Sequence, residues 1–164
     1  MSLDALRSSL LEARDRRQAL LDGLFPTPFP ATVMLSLNLP GTAKTGRRAE
    51  RLFAWGEKAL LGALKAVGTV RGSDELGPFA LYRTRLPATR LKRLGIALET
   101  MHPAGRLLDL DIYDPSGKAL SRSDLEIAPR SCLICSEPAV ACIHAGRHST
   151  EELMLRAQAV IDAL

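Results

Sequence analysis

The spacing of leucines in the first part of the chain predicts a helix. Over residues 3–22, leucine recurs at positions 3, 6, 10, 11, 20 and 21, with basic residues between them. Apolar residues at such intervals are typical of an amphipathic helix. Three prolines in the next nine residues, GLFPTPFPA at 23–31, break the pattern and indicate a connector. We therefore expect an N-terminal helix and a proline-rich connector over residues 1–30.

Alternating apolar positions further along the chain predict strands. In TVMLSLNLP, residues 32–40, Val33, Leu35, Leu37 and Leu39 alternate with smaller or polar neighbours, which is typical of a strand. Three more segments have strand character, and two segments between them have helical spacing. The strands are expected at 68–72, 78–85 and 106–113, and the helices at 47–66 and 87–101.

The succession of these elements predicts an α+β fold. Its middle part has the order β-α-β-β-α-β, the ferredoxin-like arrangement. We expect one domain over residues 1–164, because this length supports one substantial hydrophobic core. The α+β core is assigned to 31–128. A cysteine- and histidine-bearing loop and a last helix, which starts after Ser149, occupy 129–164.

Composition and charge narrow the class of protein. Hydrophobic residues make up 46% and charged residues 24%, with no apolar run near the roughly 20 residues of a membrane span. The charged N-terminus does not resemble a secretory signal, so we expect a cytoplasmic protein that does not enter membranes. The net charge of +4 suits a phosphate-rich ligand, an acidic protein partner or nucleic acid, or reflects only a solvated basic surface. With 4% aromatic residues, stacking surfaces for nucleic acid are scarce.

The stretch GRLLDLDIYDP, residues 105–115, contains two aspartates that share a strand. Asp109 and Asp111 are two positions apart, so both carboxylates project from the same face of the strand. Two like charges on one face favour a cation, and hard divalent ions such as Mg²⁺ prefer carboxylate oxygens. We interpret the pair as a candidate magnesium site. The alternative is a pair that meets arginines or lies at an exposed sheet edge.

The three cysteines lie close together in the sequence. Cys132, Cys135, Cys142 and His148 have the spacing C-x2-C-x6-C-x5-H, which suits a tetrahedral zinc site. With all four positions filled by protein, such a site would be structural, and His144 is an alternative fourth ligand. The alternatives are small buried cysteines beside a surface histidine, or a redox C-x-x-C that leaves Cys142 and His148 unexplained.

Two further segments carry candidate anion-binding residues. LPGTAKTGRRAER, residues 39–51, places Gly41 and Lys44 before the start of a helix and Arg51 within it, although the segment is not a Walker loop. The DPSG turn at 114–117 predicts a hairpin that returns Arg122 to the side of the aspartates. The alternatives are a mobile basic loop and unpaired surface arginines.

Taken together, these motifs resemble the citrate lyase holo-acyl-carrier-protein synthases, also called apo-citrate lyase phosphoribosyl-dephospho-CoA transferases. The elements that carry the resemblance are Gly105-Arg106-Leu107, Asp109, Asp111, Ser121-Arg122, Pro129-Arg130, Cys132, Cys135, Cys142 and His148. Upstream, similar positions are RDRRQ at 14–18, PG at 40–41 with Lys44, Arg51 with Phe53 and Gly56, and HP at 102–103. Ile112 replaces a common valine, and the run 71–81 matches little.

The resemblance implies a reaction and a set of roles. Such enzymes attach the 2′-(5″-triphosphoribosyl)-3′-dephospho-CoA prosthetic group to a serine of the apo acyl-carrier subunit and release pyrophosphate. Asp109 and Asp111 would then hold catalytic Mg²⁺. The residues expected to contact the phosphates are Arg106, Arg122 and Arg130, with Lys44, Arg51 and Gly41 as further substrate contacts. His102 is a base or a structural histidine, and we favour the structural role.

Two alternatives to this reaction stay open at this point. One is a non-enzymatic, zinc-stapled domain that binds RNA or docks to a protein complex. Few aromatic residues and a phosphate-repelling pair of aspartates argue against RNA. The other is the same chemistry on the carrier of malonate decarboxylase.

Overall fold

The computed structural model describes residues 3–164, so the first two residues of the predicted segment 1–30 lie outside the described range. The helices are α1 Leu3–Asp22, α2 Arg47–Ala63, α3 Ala88–Thr100, α4 Ala139–His144 and α5 Thr150–Asp162. The strands are β1 Ala31–Leu37, β2 Ala66–Asp74, β3 Gly77–Thr84, β4 Leu108–Tyr113 and β5 Ala119–Leu120. The α+β class and the N-terminal helix are confirmed.

The five strands form one sheet with the order β2-β3-β1-β4-β5, and every neighbouring pair is antiparallel. β4 starts later than the expected strand 106–113, because Pro103–Leu107 forms a 3-10 turn instead. His102 caps that turn, since its Nδ1 accepts a hydrogen bond from the backbone amide of Ala104 at 3.1 Å. The histidine thus has the structural contact that the sequence favoured.

One face of the sheet carries the main hydrophobic core. Leu35 of β1 and Leu110 and Ile112 of β4 are almost fully buried there, in the same cluster as residues of α2, α3 and α5. α2 lies so close to β4 that a Cβ at Gly56 would be 2.5 Å from the Leu108 side chain. Each buried aliphatic side chain of this kind stabilises the fold by about 1.5–3 kcal/mol.

The other face is covered in part by α1. Leu21 packs in a second cluster with Met34, Phe79 and Leu81. Arg17 fixes the helix, because its guanidinium holds Asp74 through two hydrogen bonds of 2.8 and 2.6 Å. Further along the same face, at β4, the side chain of Asp109 is 41% exposed. The partly open region at β4 is where the candidate site lies.

None of the helices within residues 3–164 has the length and apolar character needed to cross a bilayer.

Candidate active site

Asp109 and Asp111 lie on the face of β4 that points away from the main core. Burial alternates along this strand, with Leu108, Leu110 and Ile112 buried and the two aspartates less so. Antiparallel pairing with β1 fixes the neighbours, because Asp109 is opposite Ser36 and Asp111 is opposite Met34. Both aspartates therefore lie on the same face of β4, as the alternation predicts. β4 pairs with β1 on one side and with β5 on the other.

The electrostatics of this pair favour a positively charged ligand. Burial, and then the nearby charge of Asp109, raise the pKa of Asp111 to about 6. The raised pKa means that the anionic form of Asp111 is less stable in the folded protein than it would be in water. A cation at the pair would stabilise both carboxylates. Two carboxylates on one element, with phosphates as the other ligands, are a common way to bind Mg²⁺, so this donor set fits the ion.

A buried glutamate organises the arginines beside the pair. Glu99, near the end of α3, has a side chain that is 4% exposed. It accepts hydrogen bonds from Arg122 at 2.7 Å and from Arg130 at 2.5 Å. Arg130 also reaches Asp109, with 3.5 Å between Nη2 and Oδ1. Glu99 thus holds both arginines at the end of α3, and Arg130 links this cluster to the strand that carries the aspartates.

Glu99 was not among the residues that the sequence singled out. Its position offered one signal, because Leu91, Gly95 and Leu98 are the other buried residues of α3. Glu99 follows Gly95 by four positions and Leu91 by eight, which places a carboxylate on the apolar face of the helix. A charge at such a position needs a buried partner.

The structure differs from the expectation for Arg122. The hairpin between β4 and β5 is present, with Ile112 opposite Leu120. However, the guanidinium of Arg122 pairs with Glu99 and with the carbonyl of Ala128, whereas it is Arg130 that contacts Asp109. The reason is that β5 ends at Leu120 and Arg122 already has helical backbone angles at the start of the 3-10 turn Ser123–Leu125, so the alternation of the hairpin does not extend to Arg122.

Arg106 occupies the 3-10 turn that precedes β4. Its Nε and Nη1 atoms are buried and have no hydrogen-bond partner in the described part of the chain. Burial, followed by the charge of Arg130, lowers the pKa of this guanidinium. Leaving a buried donor without a partner costs about 1–3 kcal/mol. Arg106 also lines a cavity of about 340 Å³, next to the cysteine- and histidine-bearing segment.

Cys132, Cys135, Cys142 and His148 converge at this segment. Their ligand atoms all lie within 4.8 Å of one another, with 3.4 Å between the sulfurs of Cys135 and Cys142. The Nε2 atom of His148 is also 3.4 Å from the sulfur of Cys135. Three thiols and an imidazole are a donor set that suits zinc, with about 2.3 Å expected between zinc and each sulfur. The cluster can therefore hold a metal such as zinc.

The other predicted substrate contacts lie on the segment 39–51, which follows β1. Lys44 donates a hydrogen bond from Nζ to the carbonyl of Leu39, so it braces its own loop, and burial lowers its pKa. Gly41, with a φ of +72°, packs against Met154 of α5. Arg51 is exposed on α2. Within residues 3–164, no hydrogen bond or ion pair joins these three residues to Asp109 or Asp111.

Comparison with known proteins shows which protein family the sequence matches. The sequence model of the CitX family, described as apo-citrate lyase phosphoribosyl-dephospho-CoA transferase, matches residues 6–164. The chain belongs to this family. Proteins of the same name in Citrobacter koseri and Escherichia coli O139:H28 are 34% identical over 157 residues and 35% identical over 159 residues. A protein of that name in Shigella flexneri serotype 5b is 33% identical over 163 residues. Each match covers 93% of this chain and 86% of the relative.

Membership of the CitX family confirms the resemblance found in the sequence and identifies the protein as an enzyme of the transferase class. It therefore excludes the non-enzymatic RNA- or protein-binding module as the main function. The run 71–81, which matched the family pattern poorly, falls on the β2–β3 hairpin. β2 is the edge strand of the sheet, at the opposite side from β4 and β5.

Proposed function

We propose that this protein transfers the 2′-(5″-triphosphoribosyl)-3′-dephospho-CoA group onto a serine of the apo acyl-carrier subunit of citrate lyase. The observation that carries the proposal is the pair Asp109 and Asp111 on one partly exposed face, next to an arginine cluster. Family membership supports the same reaction. In this reaction the serine oxygen bonds to the α-phosphorus, the bond from that phosphorus to pyrophosphate breaks, and the hydroxyl proton is released.

The charges of the site suit a polyphosphate. Arg106, Arg122 and Arg130 supply three guanidinium groups, whereas Glu99 is the buried carboxylate that offsets them. Arginine binds phosphate oxygens through pairs of hydrogen bonds. We assign the three arginines to the phosphates of the donor. Their anchoring to Glu99 keeps Arg122 and Arg130 in place before the donor arrives.

Asp109 and Asp111 would repel phosphates in the absence of a cation. We assign them as the residues that hold Mg²⁺, which supplies charge neutralisation on the phosphates and on the pyrophosphate leaving group. Asp109 is the more accessible of the two, and its contact with Arg130 links the acidic pair to the arginines. The pair, Arg122 and Arg130 therefore form one binding surface for the triphosphate.

The cysteines and His148 have a structural role in this proposal. A Cys3His set fills all four positions around zinc and leaves none for substrate. Arg130 lies two residues before Cys132, so a metal in the cluster would fix the segment that presents this arginine. Lys44, Arg51 and Gly41 remain proposed secondary contacts of the donor, because the segment 39–51 borders the same end of the sheet.

The proposal is tested by the mass of the carrier. The purified protein, the donor and the apo acyl-carrier subunit of citrate lyase are incubated with Mg²⁺, and intact mass spectrometry follows the carrier. We expect a mass gain equal to the donor minus pyrophosphate, and at least a 100-fold slower gain for Asp109→Asn and Asp111→Asn. Asp15→Asn, on the exposed side of α1, is the matched control and is expected to behave as wild type.

No mass gain with the wild type, or an Asp109→Asn variant as fast as wild type, would overturn the proposal. The same assay with the carrier of malonate decarboxylase decides the acceptor. If that carrier is modified faster than the carrier of citrate lyase, the proposed acceptor is the malonate decarboxylase carrier, and the proposed reaction stays the same.

A further inference from the structure

A cavity of about 340 Å³ lies beside the proposed triphosphate site and is separate from the aspartate pair. It is lined by the chain after β1, the 3-10 turn that carries Arg106, and the cysteine- and histidine-bearing segment. Cys132, Cys142 and His148 contribute to one wall. The largest apolar side chains around it are Leu107, Leu133, Ile143 and Leu153.

Arg106 is the arginine in the lining of this cavity. Within residues 3–164, none of the salt bridges joins it to a carboxylate. Glu99, the acidic residue whose charge acts on Arg106, already bonds Arg122 and Arg130. The charges of those two arginines act on Arg106 as well, and both disfavour its cationic form. A guanidinium in this position is best stabilised by an anion from outside the chain.

The remainder of the cavity selects a ligand with an apolar or aromatic part. Apart from Arg106, His148, the cysteines and the exposed Asn38, the lining residues are apolar, and Ile143 is 74% exposed. A free inorganic anion would leave this apolar surface uncovered. A phosphate ester with an organic body would cover it and would place its phosphate at Arg106.

We infer that the cavity is a second subsite, which binds the phosphate-ester part of the donor that is retained on the carrier, with Arg106 as its anion-binding residue. The inference rests on the proposed function, in which the triphosphate lies at Asp109 and Asp111. The retained part contains the adenosine, the diphosphate and the pantetheine arm of dephospho-CoA. The cavity with Arg106 therefore recognises the body of the donor, whereas the aspartates, Arg122 and Arg130 hold its reacting end.

Binding of dephospho-CoA in the absence of Mg²⁺ and carrier tests the inference directly by isothermal titration calorimetry. We expect binding by the wild type and a dissociation constant at least tenfold higher for Arg106→Met. Arg156→Met, at an exposed position of α5, is the matched control and should bind as wild type. The Arg106→Met variant should also melt at the same or a higher temperature than wild type, because it removes a half-buried cation whose Nε and Nη1 atoms have no hydrogen-bond partner within residues 3–164. A purely structural arginine would give a lower melting temperature.

Smaller probes separate the two parts of the ligand. Pyrophosphate and pantetheine should each bind more weakly than dephospho-CoA, because each provides only one of the two recognised parts. Equal affinity for pyrophosphate and dephospho-CoA would overturn the inference, as would equal affinity of wild type and Arg106→Met for dephospho-CoA. If Arg106→Met does not fold, Ala139→Phe fills the cavity from its wall and retains Arg106. Loss of dephospho-CoA binding then supports the subsite, and unchanged binding contradicts it.

The carrier assay distinguishes failure of this inference from failure of the proposed function. If the wild type modifies the carrier and Arg106→Met has an unchanged KM for the donor, the inferred subsite is contradicted and the proposed reaction is supported. If the wild type binds dephospho-CoA through Arg106 but modifies no carrier, the proposed reaction is contradicted and the inferred subsite is supported.

Discussion

Glu99 is the single residue on which the charge arrangement of the site depends most. Its carboxylate is almost fully buried and joins Arg122 to Arg130, and through Arg130 it is linked to Asp109. Removing one partner from a buried ionic group leaves the others uncompensated. Glu99 therefore has a role in stability and a role in the position of both arginines.

Glu99→Gln is expected to lower the free energy of unfolding by up to about 3 kcal/mol, because two partly buried guanidinium groups lose their counter-charge. Urea denaturation of this variant and of Glu50→Gln, an exposed glutamate of α2, measures the difference. A variant as stable as Glu50→Gln would contradict this account.

The pKa of Asp111 predicts how stability changes with pH. Burial and the charge of Asp109 raise that pKa to about 6 from an ordinary value of 3.8. The folded protein therefore binds the proton more tightly than the unfolded chain, and this residue makes the fold less stable as pH rises from about 4 to about 6. Above that window the penalty is constant, at about 3 kcal/mol as an upper estimate.

Asp111→Asn removes this penalty, so the variant is expected to be more stable than wild type at pH 8 and similar at pH 4. Thermal denaturation in EDTA at both pH values measures the difference without a divalent ion at the pair. An offset that is the same at both pH values would show that the aspartate does not titrate in this window.

At the scale of the elements, the attachment of α1 to the sheet depends on one buried ion pair, between Arg17 and Asp74. Arg17 holds Asp74 at the end of β2, donates to the carbonyl of Gly77 at 2.7 Å, and lies 4.4 Å from the ring centre of Phe79. These contacts attach the helix to the β2–β3 hairpin. The hairpin and the helix are therefore expected to open together.

Arg17→Met should lower the free energy of unfolding by about 3–5 kcal/mol, because Asp74 stays buried without its partner. Hydrogen exchange should rise in β2 and β3 more than in β4. Arg14→Met, at an exposed position of the same helix, is the control for the loss of a positive charge. Equal exchange in the two variants would exclude Arg17 as the attachment of α1.

The sequence predicts most elements, because their patterns are local. The alternation in β4 placed both aspartates on one face, and the cysteine spacing brought four ligands together. Contacts between distant elements were not predictable. The position of Arg122 depends on a 3-10 turn without a strong sequence pattern, and the role of Glu99 depends on how α3 lies against the sheet. The cavity likewise forms only where the cysteine- and histidine-bearing segment meets the 3-10 turn before β4.

At the scale of the whole molecule, a metal in the cysteine and histidine cluster is expected to order the segment from Ser131 to His148. This segment contains the short helix α4 and one isolated bridge, between Ser131 and Pro138. A segment with so little regular structure gains order from a bound metal.

Removal of zinc with a chelator is expected to lower the melting temperature and to expose this segment to proteases. Cys135→Ser should have the same effect and should make the protein insensitive to the chelator. His144→Ala, which lies outside the four-residue cluster, is the control. A wild type that contains no metal after purification and is equally stable with and without zinc would refute the structural role.

The double contact of Arg130 has a consequence for the sequence of binding events. Its Nη2 atom makes both contacts, at 2.5 Å to Glu99 and 3.5 Å to Asp109, so the same nitrogen is held firmly by the glutamate and only weakly by the aspartate. If Asp109 and Asp111 hold Mg²⁺ as proposed, Arg130 would partly neutralise Asp109 until the ion binds. Release of this weak contact would free an N–H group of Arg130 for a phosphate of the donor, so magnesium and nucleotide are expected to bind synergistically, each raising the affinity for the other.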